Sequence, residues 1–282
     1  MKRIMRLKFK NIISIVCVFT LLLSVLLSSA CRPKNSESII LAGSTSVQPF
    51  AEILAEQFMA LHPEINIDVQ GGGSAAGILA ANSSTADIGM SSRALNTDES
   101  KTLIAVEIAR DGLAVIVHPS NPIVNLTLAQ VSAIYSGEIT SWDALGDAMK
   151  KKIHVVTRED GSGTRSAFES LVMGKVAIMP QAIVQDSNGA VRQLVADDPA
   201  AIGFISLGLV DLTVKAIELD GIQATREHVI DGSYRLTRPF LFLTRTQPEG
   251  TAKLFIDFTL STEGRRILNN EGLITMGDVP QK

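Results

Sequence analysis

Three times in this chain a short run rich in β-branched residues ends in a loop of glycine and hydroxyl residues that opens straight into a helically spaced stretch. Gly43-Ser44-Thr45-Ser46 precedes the stretch beginning at Val47; Gly71-Gly72-Gly73-Ser74 precedes Ala75–Ala81; Asp160-Gly161-Ser162-Gly163-Thr164 precedes a stretch running to Met173. A repeated strand, loop and helix is the punctuation of an α/β fold with largely parallel sheets. Strand patterns fall at Ile39–Ala42, Ile65–Val69, Asp87–Met90, Leu113–His118, Ile153–Thr157, Ile202–Ile205 and Phe240–Thr244. Val47, Phe50, Leu54, Phe58 and Leu61 repeat at three- and four-residue spacing, which predicts an amphipathic helix. Further helices are predicted at Thr127–Tyr135, Ser162–Met173, Ala190–Ala196, Pro248–Leu260 and Thr262–Asn269.

At 282 residues the chain has material for two domains, and 46% apolar with 20% charged residues excludes a disordered class. No fixed-period repeat and no long linker occurs. The two domains are therefore expected to share the chain discontinuously, crossing at His118-Pro119-Ser120-Asn121-Pro122 and near Tyr234–Pro239. That places lobe I at 38–117 plus 236–282 and lobe II at 118–235, with a ligand cleft between them and hinge closure across it.

A helix start carries backbone N–H groups without intrahelical partners and a partial positive charge, so it is a ready anion site. Glycine lets the backbone approach a ligand, and a serine or threonine adds a donor that also caps the helix. Any one such loop is satisfied by plain capping. Three at strand ends in one α/β chain imply a small, deeply bound oxyanion. None fits the P-loop, and Gly71 to Gly77 holds only a weak dinucleotide pattern. Arg158, at a strand end four residues before Ser162, can fork onto an anion while Asp160 holds its guanidinium; the alternative is a surface salt bridge. Arg93, after Met90-Ser91-Ser92, is balanced between a ligand role and a solvated one, and Arg165 is expected in solvent or paired with Glu169.

Catalytic and metal readings find little support. His62, His118, His154 and His228 are scattered without ligand spacing, and no G-x-S-x-G elbow occurs, although serine catalysis stays open. No cofactor is expected. The charge is uneven: Lys2, Arg3, Arg6, Lys8 and Lys10 precede any acidic residue, and the chain after residue 30 holds 21 Lys and Arg against 29 Asp and Glu, a balance of −8. A general nucleic-acid binder needs the opposite sign. Residues 11–30 are uncharged, follow those five basic residues and end at Ser28-Ser29-Ala30-Cys31, the layout of an export signal; a retained transmembrane helix is the alternative. Residues 1–30 are accordingly read as a signal peptide and 31–37 as a tether. Cys17 lies in the apolar run, so once Cys31 is modified no thiol remains for other chemistry.

The segments AGSTSVQPF, QGGGSAAGI, ADIGMSSRAL and TREDGSGTRSAFE, with LAVIVHPSNP and VSAIYSGEITSWDALG between them, resemble the phosphate-binding proteins of bacterial phosphate ABC transporters. Ser28 to Cys31 likewise resembles the bacterial lipobox, which implies lipidation of Cys31 and an anchor on the outer face of the cell membrane. The family resemblance implies a two-lobed periplasmic-binding-protein fold, type II-like, that closes on one phosphate and delivers it to a membrane permease. By position it implies ligand contacts from Ser44, Thr45 and Ser46, from Ser74, from Ser92 and Arg93, and from Arg158, Ser162, Gly163 and Thr164, with Asp160 bracing the arginine. Several family members carry an aspartate where Ser92 stands, which a phosphate proton would meet, so selectivity against sulfate is left open. The expectation is a monomeric, non-enzymatic binder of inorganic phosphate with no nucleic-acid partner. A sulfate binder, a secreted serine phosphatase or esterase, and an adhesion module are the alternatives.

Overall fold

In the computed structural model residues 37–146, 151–275 and 277 are described, so the predicted signal peptide, the tether and Cys31 lie outside the described residues apart from Glu37. The chain runs β1 (Glu37–Gly43), α1 (Gln48–Leu61), β2 (Ile65–Gly71), α2 (Ser74–Asn82), β3 (Ile88–Ser91), β4 (Ile104–Val117), β5 (Asn125–Leu126) and α3 (Leu128–Ser136). It continues through β6 (His154–Arg158), α4 (Gly163–Phe168), a π-helical turn at Glu169–Met173, β7 (Ile183–Gln185), α5 (Asn188–Asp197) and β8 (Ala201–Ser206). It ends with β9 (Lys215–Ala216), β10 (Glu218–Leu219), α6 (Arg226–Ile230), β11 (Thr237–Thr244), α7 (Gly250–Leu260) and α8 (Thr262–Asn270).

The described strands form a nine-stranded mixed sheet in the order β2-β1-β3-β11-β4-β8-β6-β7, with β9 also on β4, and β5 pairs with β10 separately. β1 with β3, β6 with β8 and β6 with β7 are parallel. The α/β architecture is as the pattern predicted, but the centre is antiparallel: β11 runs against both β3 and β4, and β4 against β8. β4 is also far longer than the predicted Leu113–His118. Its first part, Ile104–Gly112, pairs with β11, and its last part, Leu113–Val117, pairs with β8. Sequence pattern missed the first part because its burial is mixed, whereas residues 112–117 are buried without interruption.

β11 also begins earlier than predicted, despite Pro239. Opposite it, Arg110 exchanges both backbone hydrogen bonds with Ile274, so Pro239 and Arg110 face each other as a non-hydrogen-bonded pair. β3 pairs with β11 only at Leu241–Leu243. The missing N–H of Pro239 therefore costs no ladder bond.

The described residues form four apolar clusters, two of them larger than the others. One gathers Leu41, Phe50, Leu54, Phe58, Phe242 and Phe255 from elements near both chain ends. The other gathers Leu113, Tyr135, Trp142, Phe168, Phe204 and Tyr234 from the middle, with Phe168 stacked on Phe204 at 4.1 Å between centroids. α1 buries Phe50, Leu54 and Phe58 as its spacing predicts, while Leu61 at the end of the same stripe is exposed. α2 packs so closely that a Cβ on Gly77 would lie 2.5 Å from the Met90 carbonyl oxygen and 2.7 Å from that of Ala42. Glycine at this position brings the Ser74 loop down onto the ends of β1 and β3. Among the described residues no helix is long and apolar enough to cross a membrane.

Candidate functional site

The first residues of four helices meet at one place. Thr45 and Ser46 lie just before α1, Ser74 opens α2, Ser162, Gly163 and Thr164 start α4, and Asn188 opens α5. The fourth start was not recognised from sequence, yet its signature is the same: β7 ends at Gln185, and Ser187 caps α5 through its hydroxyl oxygen, which accepts from the Ala190 amide at 3.1 Å. The N-termini of α1, α2 and α5, helices of nine to fourteen residues, thus turn their unpaired N–H ends toward a common region.

The side chains there form one buried network. Ser46 Oγ and Thr164 Oγ1 share a hydrogen bond at 2.7 Å, and Asn188 Nδ2 donates to Ser46 Oγ at 2.8 Å. Ser74 Oγ accepts from the Ser92 amide at 3.0 Å and lies 3.4 Å from Ser92 Oγ. A Cβ on Gly163 would stand 2.2 Å from Ser74 Oγ and 2.6 Å from Ser92 Oγ, so only glycine lets the α4 start approach these hydroxyls. The backbone also closes across the site, where the Ala75 amide donates to the Gly161 carbonyl at 3.0 Å.

Two guanidinium groups hold this network. Arg158, at the end of β6 and 1% exposed, donates from Nη2 to Thr45 Oγ1 at 3.1 Å. Its Nε and Nη2 fork onto Glu159 at 2.9 Å each and also reach the carbonyls of Gln185 and Asp186. Nη1 is buried with no hydrogen-bond partner. Arg238, at the start of β11 and 3% exposed, donates from Nη1 to Thr164 Oγ1 at 2.8 Å and to Ser92 Oγ at 3.3 Å. Its Nη2 donates to Ser46 Oγ at 3.1 Å, and Nε and Nη2 grip Asp111 Oδ2 at 3.0 and 2.9 Å. Asp111 Oδ1 accepts from Ser206 Oγ at 2.8 Å. Burial pushes the Asp111 carboxyl above its ordinary range and the Arg238 guanidinium below its own, while their mutual attraction and hydrogen bonds act the other way.

Thr45, Ser46, Ser74, Ser92, Arg158, Gly163 and Thr164 are therefore brought together. Ser44 is adjacent, but its oxygen accepts from the Ser46 amide and shapes the turn. Ser162 caps α4 by accepting from the Arg165 amide at 3.2 Å, which leaves its O–H free to donate. Arg93 is drawn aside by a two-point ion pair with Glu99 at 2.8 Å, which raises the arginine's pKa and lowers that of the glutamate through the shared hydrogen bonds. The expected brace on Arg158 is corrected: the partner is Glu159, not Asp160. Arg158 points inward from the strand end and Glu159 lies beside it, whereas Gly161, at φ +88°, turns the loop so that Asp160 projects into solvent and pairs with Arg165. Arg165 also pairs with Glu169, as anticipated.

Arg238, Asn188, Asp111 and Glu159 are the residues that sequence reasoning missed. Asp111 and Arg238 each lie two residues ahead of a predicted strand, at Leu113–His118 and Phe240–Thr244, and only the tertiary pairing of β4 with β11 shows them as one buried ion pair.

Chemically the assembly is a set of hydroxyl, amide and guanidinium donors, with both Asp111 oxygens already engaged. Among the described residues none of the four histidines lies in this network; His118 bonds Ser120, His154 bonds Asp198 and His228 bonds the Gln223 carbonyl, each at an exposed position. The arrangement can hold a compact acceptor-rich anion.

A family model described as the PBP superfamily domain matches residues 28–263. The phosphate-binding protein PstS of Bacillus subtilis (strain 168) is 31% identical over 257 residues, covering 89% of this chain and 85% of that protein. The chain belongs to the PstS family of the PBP superfamily. Among solved structures, a phosphate ABC transporter substrate-binding protein with bound phosphate from Clostridium perfringens superposes with TM-score 0.82 at 42% identity, covering 85% of this chain and all of that one. An ABC-type phosphate transport receptor from Vibrio cholerae gives 0.70 at 41% identity over 84% of this chain and 99% of that one.

Proposed function

We propose that this protein is an extracytoplasmic solute-binding protein that captures inorganic phosphate and passes it to the permease subunits of an ABC importer. The observation that carries the reading is Arg158. A guanidinium 1% exposed that keeps Nη1 without a partner is costly, about 1–3 kcal/mol for an unmet buried donor and more for a charged one. A tetrahedral oxyanion beside Thr45 supplies the acceptor. Its other oxygens are served by Ser46, Ser74, Ser92, Ser162, Thr164 and Arg238, and the Gly163 backbone approaches without a side chain in the way.

The lobes of this reading are 38–117 with 236–282, and 118–235. Two separate apolar clusters support a division of this kind, although β4 changes partner at Gly112–Leu113 and Leu113, Val115 and Val117 pack with the second cluster, which favours a crossing a few residues earlier. Thr45 with Arg158 and Ser46 with Thr164 would be contacts across the closed cleft. Catalysis has no part in it, since the hydroxyls answer to guanidiniums rather than to a base. Cys31 would carry the lipid that holds the mature, monomeric chain at the outer face of the membrane. Sulfate is the second ligand to weigh, because Ser92 stands where a carboxylate would reject an anion lacking a proton and Asp111 is already occupied by Arg238. Calorimetric titration of residues 32–282, stripped of anion, with phosphate and then sulfate tests the reading. Tight phosphate binding with weaker sulfate competition is expected, and no heat of phosphate binding would refute it.

A further inference from the structure

We propose that Asn188 is a positioning residue for the anion, one that fixes the direction in which Ser46 and Thr164 donate, an inference that rests on the phosphate reading above. A serine or threonine hydroxyl has one hydrogen and two acceptor positions, so on its own it can face a ligand either way. The Asn188 amide has no such freedom. Its Oδ1 accepts from the Ser206 main-chain N–H at 3.1 Å, a group that can only donate, so the NH2 end of the side chain is turned toward the anion loops. Nδ2 donates to Ser46 Oγ at 2.8 Å and approaches Thr45 Oγ1 at 3.5 Å.

At Ser46 both acceptor positions are taken. Its Oγ accepts from Asn188 Nδ2 and from Arg238 Nη2, the latter at 3.1 Å. The Ser46 hydrogen therefore points to Thr164 Oγ1, 2.7 Å away, or to an anion oxygen. Thr164 Oγ1 also accepts from Arg238 Nη1 at 2.8 Å, so while Ser46 donates to it the Thr164 hydrogen is left for the anion. Ser46, Thr164, Asn188 and Ser206 are all buried, so bulk water does not compete for these positions. Ser74 and Ser92 are different. Each oxygen accepts one N–H, from the Ser92 amide and from Arg238 Nη1 respectively, and at least one acceptor position between them stays open for an oxygen that carries a proton.

Both N–H groups that fill Ser46 trace back to Ser206. Its amide orients Asn188, and its hydroxyl donates to Asp111 Oδ1 at 2.8 Å while Asp111 Oδ2 grips Arg238. Ser206 ends β8 opposite Leu113, two residues along β4 from Asp111, so the polarity of the hydroxyls is set by the strands behind them.

The test is calorimetry with inorganic phosphate on anion-stripped protein, together with urea unfolding, for the parent, Asn188→Asp, Asn188→Ala, Ser46→Ala and the Asn188→Ala, Ser46→Ala double variant. Aspartate keeps the shape and the acceptor for the Ser206 amide and suits a helix start, but it has no N–H for Ser46 and draws the Ser46 hydrogen away from the anion. Asn188→Asp should unfold at a higher urea midpoint than Asn188→Ala yet weaken phosphate by about a hundredfold or more, against about tenfold for Asn188→Ala. Ser46→Ala should weaken phosphate by about tenfold or more, and the double variant should stay within about twofold of it, because no hydroxyl is left for Asn188 to orient. Losses that add in the double variant would make Asn188 an independent contact and overturn the proposal. So would Asn188→Asp binding phosphate as well as Asn188→Ala, or Ser46→Ala binding too weakly to measure, since Ser46 is here one donor among several. Failure of the parent to bind phosphate would overturn the reading beneath the proposal and the proposal with it.

Discussion

Replacing Arg238 by Met should damage stability and binding together, because one guanidinium serves both. Arg238 and Asp111 are 3% and 1% exposed, so their pairing is not screened by solvent. Removing one partner leaves a buried carboxylate, a change that costs about 3–5 kcal/mol in comparable pairs. Methionine fills much of the vacated volume, so little of this loss comes from a cavity. The pH dependence identifies the cause. Burial raises the Asp111 pKa, while the charge of Arg238 and the hydrogen bonds from it lower the pKa. Without the arginine those opposing effects vanish and the folded-state pKa climbs further. Between the ordinary value of 3.8 and that raised value the native state then binds more protons than the unfolded state, so stability falls as pH rises through the window and is flat above it.

Urea unfolding of Arg238→Met at several pH values from about 4 to 8 should therefore show a midpoint that drops with rising pH more steeply than in the parent, at constant m. Adding Asp111→Asn removes the stranded charge and keeps an acceptor for Ser206. The double variant should recover most of the loss, whereas phosphate affinity should stay low, because Ser46, Ser92 and Thr164 have lost their common donor. A double variant no more stable than Arg238→Met, or a single variant with the parent's pH profile, would refute the buried ion pair as the source of the cost.

Arg158→Ala should abolish measurable phosphate binding while Arg165→Ala, whose side chain serves Asp160 and Glu169, changes it by less than about threefold; equal losses in calorimetry would contradict the assignment. Gly163→Ala should weaken phosphate by about a hundredfold, since its Cβ must displace Ser74 and Ser92, and unchanged affinity would show that the α4 start does not close on these hydroxyls. Ser92→Asp should lower sulfate competition and make phosphate affinity fall from about pH 6 to pH 8 as the anion loses its last readily titrated proton, whereas the parent holds its affinity; identical profiles would remove residue 92 from the anion's surroundings.

How much of this was legible in sequence divides along a physical line. Loops that fold by local rules were readable: glycine before a helix start and a capping hydroxyl announce themselves within five residues, and three such loops do converge. The fourth start, Ser187-Asn188, follows the same rule and was legible in principle. Residues whose meaning depends on a distant strand were not. Asp111 and Arg238 are 127 positions apart, and nothing near either one states that it is buried. The exchange of Asp160 for Glu159 is an intermediate case: the arginine was located correctly, but the turn at Gly161 decides which of two adjacent carboxylates stays with it. The long antiparallel β4 was missed for a related reason, because a strand that changes partners halfway shows two burial patterns instead of one.

The site also shows how a chain with an acidic body can hold an anion. Every arginine around it has a carboxylate of its own: Arg158 has Glu159, Arg238 has Asp111, Arg93 has Glu99, and Arg165 has Asp160 and Glu169. These pairs nearly cancel before the ligand arrives, so the attraction does not come from a net positive field. It comes from oriented dipoles, in hydroxyls, amides, helix starts and guanidinium N–H groups fixed by the carboxylates behind them. A free cation would draw in chloride, carboxylates and phosphate alike and would be screened over a Debye length of about 8 Å at physiological salt. Side chains hydrogen-bonded to one another at 2.7–3.3 Å in a buried network instead select by the number and placement of acceptors, which a tetrahedral oxyanion matches and a spherical or planar anion does not. The carboxylates are therefore part of the selectivity: they spend the long-range charge of the arginines and leave their hydrogen-bonding geometry to choose the ligand.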